Sequence, residues 1–378
     1  MRRNGLRGIL GCVLAVAVAG CGTGGSVPSG SSSPSPTVLA SVRPLQVAFT
    51  LTAGITTRYF ATSTRLKDGT VLIAGGCCAN AREPLASAVL YQPATGKFVA
   101  TGSLETGRFY HSATLLSDGR VLVAGGTGLA GALASAEIYD PGTGKFTSVA
   151  TMTTPRTQVT ATLLKNGDVL VLGGTSPEGP LASAETYDAT SDTWTATGSM
   201  ATGRTRPTAT LVANGNVLVA GGWPPIQEAE LYDPETGTFS PTEKMDDARA
   251  YQTATLLTDG RVLVTGGESA FGALDSAEVY DSKTGLFSAT GSMVSARTNH
   301  AAVLLTDGRV LIVGGWESNT SVEVYDPAAN AFTSAGSLPV TLARPAAVLL
   351  LDGSVLVTGG AGANGSQQPA VIVKVSAP

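Results

Sequence analysis

The side chains best suited to chemistry are few, and they stand at matching places along the chain. Asp-Gly or Asn-Gly dipeptides begin at Asp68, Asp118, Asn166, Asn214, Asp259, Asp307 and Asp352. Counting eight residues back from each gives Phe60, Tyr110, Gln158, Arg206, Tyr251, Asn299 and Arg344. The next position holds Ala61, His111, Val159, Pro207, Gln252, His300 and Pro345, and so takes in both histidines of the protein. The surroundings of these positions are nearly the same each time, whereas the positions themselves vary. Packing accounts for side chains that repeat; a varied set of phenol, imidazole, amide and guanidinium groups suits ligand binding. The candidate ligand-binding residues are Tyr110, His111, Gln158, Arg206, Tyr251, Gln252, Asn299, His300 and Arg344.

For stretches so far apart to act together, a repeated scaffold must bring them to one place. After His111, a mixed run ends at Leu116; Asp118-Gly119 follows, then the wholly apolar Val121-Leu122-Val123-Ala124, then Gly125-Gly126. Asp-Gly between apolar runs predicts a hairpin with a type I′ turn, which needs φ > 0 at both central residues. Double glycines recur at Gly75, Gly125, Gly173, Gly221, Gly266, Gly314 and Gly359, every 45 to 50 residues. A near-constant period of this length marks a repeat architecture. A third run ends at Tyr139-Asp140 and a fourth carries Phe146, so each unit holds four strands. A wholly apolar second strand is buried on both faces, as happens when blades pack side by side around an axis. With 47 glycines and only 14% charged residues, the composition agrees. The sequence predicts an all-β fold over residues 44–378, a seven-bladed β-propeller of four-stranded antiparallel blades. The candidate residues open the innermost strands and therefore ring one mouth of the central channel.

An arginine ten residues before the turn, then Val-Leu-Val-x-Gly-Gly, Tyr-Asp and an aromatic together resemble the kelch repeat, over roughly residues 45–375. The arginine recurs at Arg58, Arg108, Arg156, Arg204, Arg249 and Arg297, with Leu342 in the last copy. It is expected to pair between blades with a carboxylate such as Glu137, Glu185 or Glu278. The outer aromatic recurs at Phe98, Phe146, Trp194, Phe239, Phe287 and Phe332, one fewer than the double glycines. Ala48-Phe49-Thr50 matches Ala331-Phe332-Thr333. An N-terminal strand over residues 46–53 should therefore complete the last blade and remove an exposed edge.

The segment from Arg108 through Tyr110 and His111 also resembles the part of galactose oxidase that gives a tyrosine and an adjacent histidine to copper. The segment around Tyr251 resembles the one supplying its cross-linked tyrosine. That resemblance implies copper held by Tyr110, His111, Tyr251 and His300, oxygen and nitrogen donors of the kind copper(II) takes. No cysteine occupies a rim position to complete the cross-link, and His111 and His300 fall in the second and sixth repeats. Some bacterial kelch proteins resemble sialic-acid epimerases, which implies a carboxylate gripped by Arg206 and Arg344. The leading expectation is a non-catalytic binding or scaffold module without a cofactor, monomeric, recognising a protein or glycan through its loops and channel rim. A copper oxidase and a carbohydrate-processing enzyme are the alternatives.

Residues 1–20 resemble a bacterial lipoprotein signal peptide: Arg2, Arg3 and Arg7, an apolar run from Ile9 to Val18, and Val18-Ala19-Gly20-Cys21. The apolar run is too short to span a bilayer. The resemblance implies cleavage before Cys21 and a lipid on its sulfur. Residues 21–43 then read as a lipidated cysteine on a Ser/Pro/Gly tether that cannot bury enough surface to order itself. The expected location is extracytoplasmic, lipid-anchored to the outer membrane where the cell has two, since Gly22 follows the cysteine. Net charge is −4, and −7 without the three leader arginines, so nucleic acid is not an expected partner. Cys77-Cys78 would form a strained vicinal disulfide, two thiols or an intermolecular bridge.

Overall fold

The Val-Leu-Val runs are the most enclosed part of the molecule: Val121, Leu122, Val123 and Ala124 are at most 1% exposed. Each such strand has a sheet neighbour on either side and an adjacent blade on either face, so neither face of its pleat meets water. The computed structural model describes residues 46–55, 58–77, 83–316, 319–342, 344–359 and 368–376. Every regular element among them is a strand. The leader, Cys21, the tether residues before position 44 and Cys78 lie outside the described residues.

Seven four-stranded antiparallel sheets follow one plan. In the second blade the strands are Ser112–Leu115, Val121–Ala124, Ala136–Asp140 and Lys145–Val149, paired in sequence order from the axis outwards. The innermost strands touch in a closed cycle, with Ala346–Leu349 of the seventh blade beside Thr62–Arg65 of the first. The seventh blade takes its outermost strand from the N-terminal side: Gln46–Ile55 pairs antiparallel with Gln368–Ser376, and Phe49 stands opposite Val373. The strand is two residues longer than the predicted 46–53. Phe49 thus takes the place that Phe146, opposite Tyr139, holds in the second blade.

Apolar contacts repeat from blade to blade. Tyr139 and Phe146 tilt against each other with ring centroids 4.8 Å apart, and five other blades repeat the pair. Leu104, Met152, Met200, Met245, Met293 and Leu338 fill the corresponding gaps, each at most 4% exposed. Burying a side chain of this size contributes about 1.5–3 kcal/mol.

Two local expectations are corrected. Only the glycine of each inner turn takes φ > 0, for example +98° at Gly119. The Leu116 amide bonds the Arg120 carbonyl at 2.8 Å, and the Gly119 amide bonds the Leu116 carbonyl at 3.0 Å. That is a three-residue loop with a left-handed glycine last, not a two-residue type I′ turn. Asp118 Oδ1 accepts from the Arg120 amide at 2.9 Å, which holds the aspartate at negative φ. The arginine–glutamate pairs, expected between blades, lie within single blades: Arg108 enters the second blade and Glu137 belongs to its third strand.

Candidate functional site

An arginine pins the link that enters each of blades one to six; the link into blade seven has the buried Leu342 instead. Arg108 Nη1 donates to the carbonyls of Gly125 and Ser135, both at 2.9 Å, and Nη2 bonds Glu137 at 2.7 Å. Glu137 also accepts the amides of Glu105 and Thr106. Arg156–Glu185, Arg204–Glu230, Arg249–Glu278 and Arg297–Glu323 repeat the pair with both partners buried. Burial lowers the Arg108 and Arg156 pKa values, and the facing carboxylates oppose that shift. Blade one departs from the plan. Arg58 bonds the Gly75 and Ser87 carbonyls, but Val89 stands where blades two to six have glutamate.

Two residues past each anchor the backbone turns left-handed. Phe60, Tyr110, Gln158, Arg206, Tyr251, Asn299 and Arg344 have φ between +52° and +58°. None is glycine, so each position carries a cost of about 1–2 kcal/mol that its surroundings must offset. Hydrogen bonds on both flanks do so. Phe109 pairs with Thr127, Thr157 with Thr175, and Thr205 with Trp223. The Tyr110 amide bonds the Phe60 carbonyl at 3.2 Å, Gln158 bonds Tyr110 at 3.0 Å, Arg206 bonds Gln158 at 3.2 Å and Asn299 bonds Tyr251 at 3.1 Å. The left-handed turn aims each side chain into a central funnel.

All nine residues singled out by spacing line this one cavity of about 330 Å³. They form two tiers. Tyr110, Gln158, Arg206, Tyr251 and Arg344 are half-buried and reach the open space, with Asn299, 9% exposed, among them. His111, Gln252 and His300 lie below and bond the preceding blade. His111 Nε2 meets the Thr62 hydroxyl at 3.0 Å, Gln252 Nε2 donates to the Ala220 carbonyl at 2.8 Å, and His300 Nε2 meets the Thr253 and Thr265 hydroxyls, each at 2.9 Å. Burial, helped by the Arg108 charge, lowers the His111 pKa to about 3; burial and Arg297 do the same to His300.

The upper tier is cationic and aromatic. Arg344 lies over Phe60 at 4.7 Å and over Trp316 at 4.2 Å, and its Nη1 donates to Tyr110 Oη at 2.8 Å. Arg206 lies over Tyr251 at 5.1 Å and Tyr110 at 5.9 Å, and its Nη1 donates to Asn299 Oδ1 at 2.9 Å. Burial lowers the Arg206 pKa and the Arg344 charge lowers it further. Burial raises the Tyr251 pKa, while Arg206 pulls it down. Among the described residues no Asp or Glu lines the cavity. Trp223, 43% exposed, stacks on Tyr251 with centroids 6.0 Å apart, and Trp316, 46% exposed, packs against Arg344, so both flank the cavity lining; spacing from the turns missed both, because each follows a double glycine rather than an anchor arginine.

The kelch motif matches residues 108–153 and 297–339, which are the second and sixth blades with the links that enter them. The protein is a seven-bladed propeller carrying kelch motifs. A fungal alcohol oxidase of the AA5 family, solved in complex with copper, is similar to this propeller with a TM-score of 0.72 and 20% identity. The match covers 88% of this chain and 76% of the oxidase, and at that identity it shows the fold alone. No curated protein matches the sequence.

The funnel residues fit a copper ion poorly. Tyr110 Oη already accepts from a guanidinium, and both histidines spend Nε2 on threonine hydroxyls. Among the described residues no cysteine lines the cavity, and three arginines, Arg58, Arg206 and Arg344, do. Among the described residues no group of three or more His, Cys, Asp or Glu is placed to hold a metal.

Proposed function

We propose that the propeller is a non-catalytic, extracytoplasmic binding module of the cell envelope that takes a glycan in its funnel. The observation that carries this reading is the ring of seven left-handed residues, each holding a side chain inward where glycine would sit without strain. Strain retained at one place in every blade is accounted for if those side chains meet a ligand. The kinds of group agree: amides and guanidiniums to bond hydroxyls, and the half-exposed Trp223 and Trp316 as flat surfaces for sugar rings.

Binding is favoured over turnover because the funnel lacks a proton carrier tuned near neutrality. Its two histidines stay neutral down to about pH 3, and no carboxylate among the described residues lines it. The lipobox-like Val18-Ala19-Gly20-Cys21 supports the envelope location. The test is glycan-array binding by the purified protein, alongside assays for copper uptake and oxidation of primary alcohols. Saturable glycan binding without turnover is expected. Aldehyde formation by copper-treated protein would overturn the reading and restore the oxidase.

A further inference from the structure

Two guanidiniums face one cavity that offers them no counter-charge among the described residues. The geometry points to Arg206 and Arg344 as a paired clamp for a carboxylate on the ligand, so that the preferred ligand is an acidic glycan of the uronic-acid kind. This rests on the glycan reading and narrows it.

The first support is electrostatic. Each of the five buried scaffold pairs gives its arginine a glutamate, whereas Arg206 and Arg344 bond only neutral groups, the Asn299 amide oxygen and the Tyr110 hydroxyl. Tyr110 sits between the two, bonded to one through its hydroxyl and covered by the other across its ring. The charges are close enough that Arg344 depresses the Arg206 pKa. Arg58, the one scaffold arginine without a glutamate among the described residues, borders the same cavity. A funnel with low-dielectric walls and charge of one sign concentrates the opposite ion.

The second support is preorganisation. Each guanidinium lies over two aromatic rings, Arg344 over Phe60 and Trp316, and Arg206 over Tyr251 and Tyr110. Stacking of this kind holds the planar fork without using its N–H edges. Each guanidinium makes one Nη1 hydrogen bond, which leaves Nη2 without a hydrogen bond to the described residues. A carboxylate oxygen pair matches such a fork, and charge-assisted bonds are about twice as strong as neutral ones. A carboxylate on a sugar is favoured over one on a peptide because Trp223 and Trp316 flank the mouth as flat stacking surfaces.

The test measures binding of a glucuronate-capped oligosaccharide and its glucose-capped counterpart to the purified full-length protein at fixed ionic strength. At least a tenfold preference for the glucuronate form is expected. In Arg206→Met with Arg344→Met the preference should fall to none. Arg206→Lys with Arg344→Lys keeps the charge, loses the fork and should give an intermediate preference; it also serves if the methionine variant does not fold. Equal binding of both sugars by the unaltered protein would overturn the clamp and leave the glycan reading standing. Binding of neither sugar would remove both. Tighter binding of triglutamate than of the glucuronate sugar would overturn the glycan assignment of the clamp.

Discussion

Arginine occupies two regions of this propeller under opposite conditions. In the links that enter blades two to six it is buried, facing a glutamate and donating to backbone carbonyls. In the funnel, Arg206 and Arg344 face aromatic rings and neutral oxygens. The first set is complete within the chain. Its bonds fix the link, the link fixes the left-handed residue two positions on, and that residue reaches the axis. The second set is left electrostatically open. The same side chain therefore acts as structure where its charge is neutralised and as a recognition group where it is not. Blade one lies between these cases, because Arg58 keeps the anchor's carbonyl bonds but has lost its carboxylate to Val89.

The sharpest way to break this contrast is to remove one scaffold carboxylate. Glu185→Leu leaves Arg156 charged and buried and strands the Thr153 and Thr154 amides. Stability to urea should fall by about 3–5 kcal/mol. A loss below about 1 kcal/mol would mean that the scaffold pairs do not anchor the links.

Acid probes the same scaffold through its histidines. Their pKa values in the fold, about 3, lie below the unfolded value of 6.5, so the unfolded chain takes up protons first as pH falls. Stability is then fully present above about pH 6.5 and is lost between there and pH 3, by about 2–3 kcal/mol per histidine at pH 4.5. His111→Gln with His300→Gln imitates Gln252 at the same repeat position and should flatten this loss in unfolding curves taken from pH 7 to 4.5. An unchanged slope would mean that the histidines are not the source.

Val89→Glu supplies the carboxylate that blade one lacks. A gain of about 1 kcal/mol is expected by urea unfolding; a loss would show Arg58 to be satisfied as it stands. The smallest effect on stability belongs to the funnel. Arg206→Met should change it by less than about 1 kcal/mol, since no ion pair is broken and repulsion from Arg344 is relieved. A cost as large as that of Glu185→Leu would place Arg206 in the scaffold and erase the distinction.

The blade count was readable because each blade repeats the same local solution. The turn glycines, the apolar second strand and the Tyr–aromatic pair recur at fixed spacing, and local chemistry alone dictates them. Closure by the strand around Phe49 was readable for the same reason, as the one aromatic missing from the last repeat reappears at the start. The turn type was misread: Asp-Gly fits both hairpin forms, and the aspartate's bond to the Arg120 amide selects the longer one. The pairing of arginine and glutamate within a blade also escaped, because spacing gives the partners but not the side of the sheet on which they meet.

Counting back from the turns found the nine funnel residues, but it could not divide them into tiers. Tyr110 and His111 are neighbours in sequence, yet one reaches the open space and the other bonds Thr62 in the preceding blade. That division comes from the left-handed turn at Tyr110, held by hydrogen bonds to the next link and to the loop at Thr127. Trp223 and Trp316 joined the mouth only when their loops folded beside it. Sequence by itself determined the repeat, its number and its closure, because these rest on contacts inside one blade or its copy. Tertiary structure alone decided which charges are left open, because each arginine–glutamate pair closes inside its own blade, whereas Arg206 and Arg344 meet their neutral partners only when distant links converge on one axis.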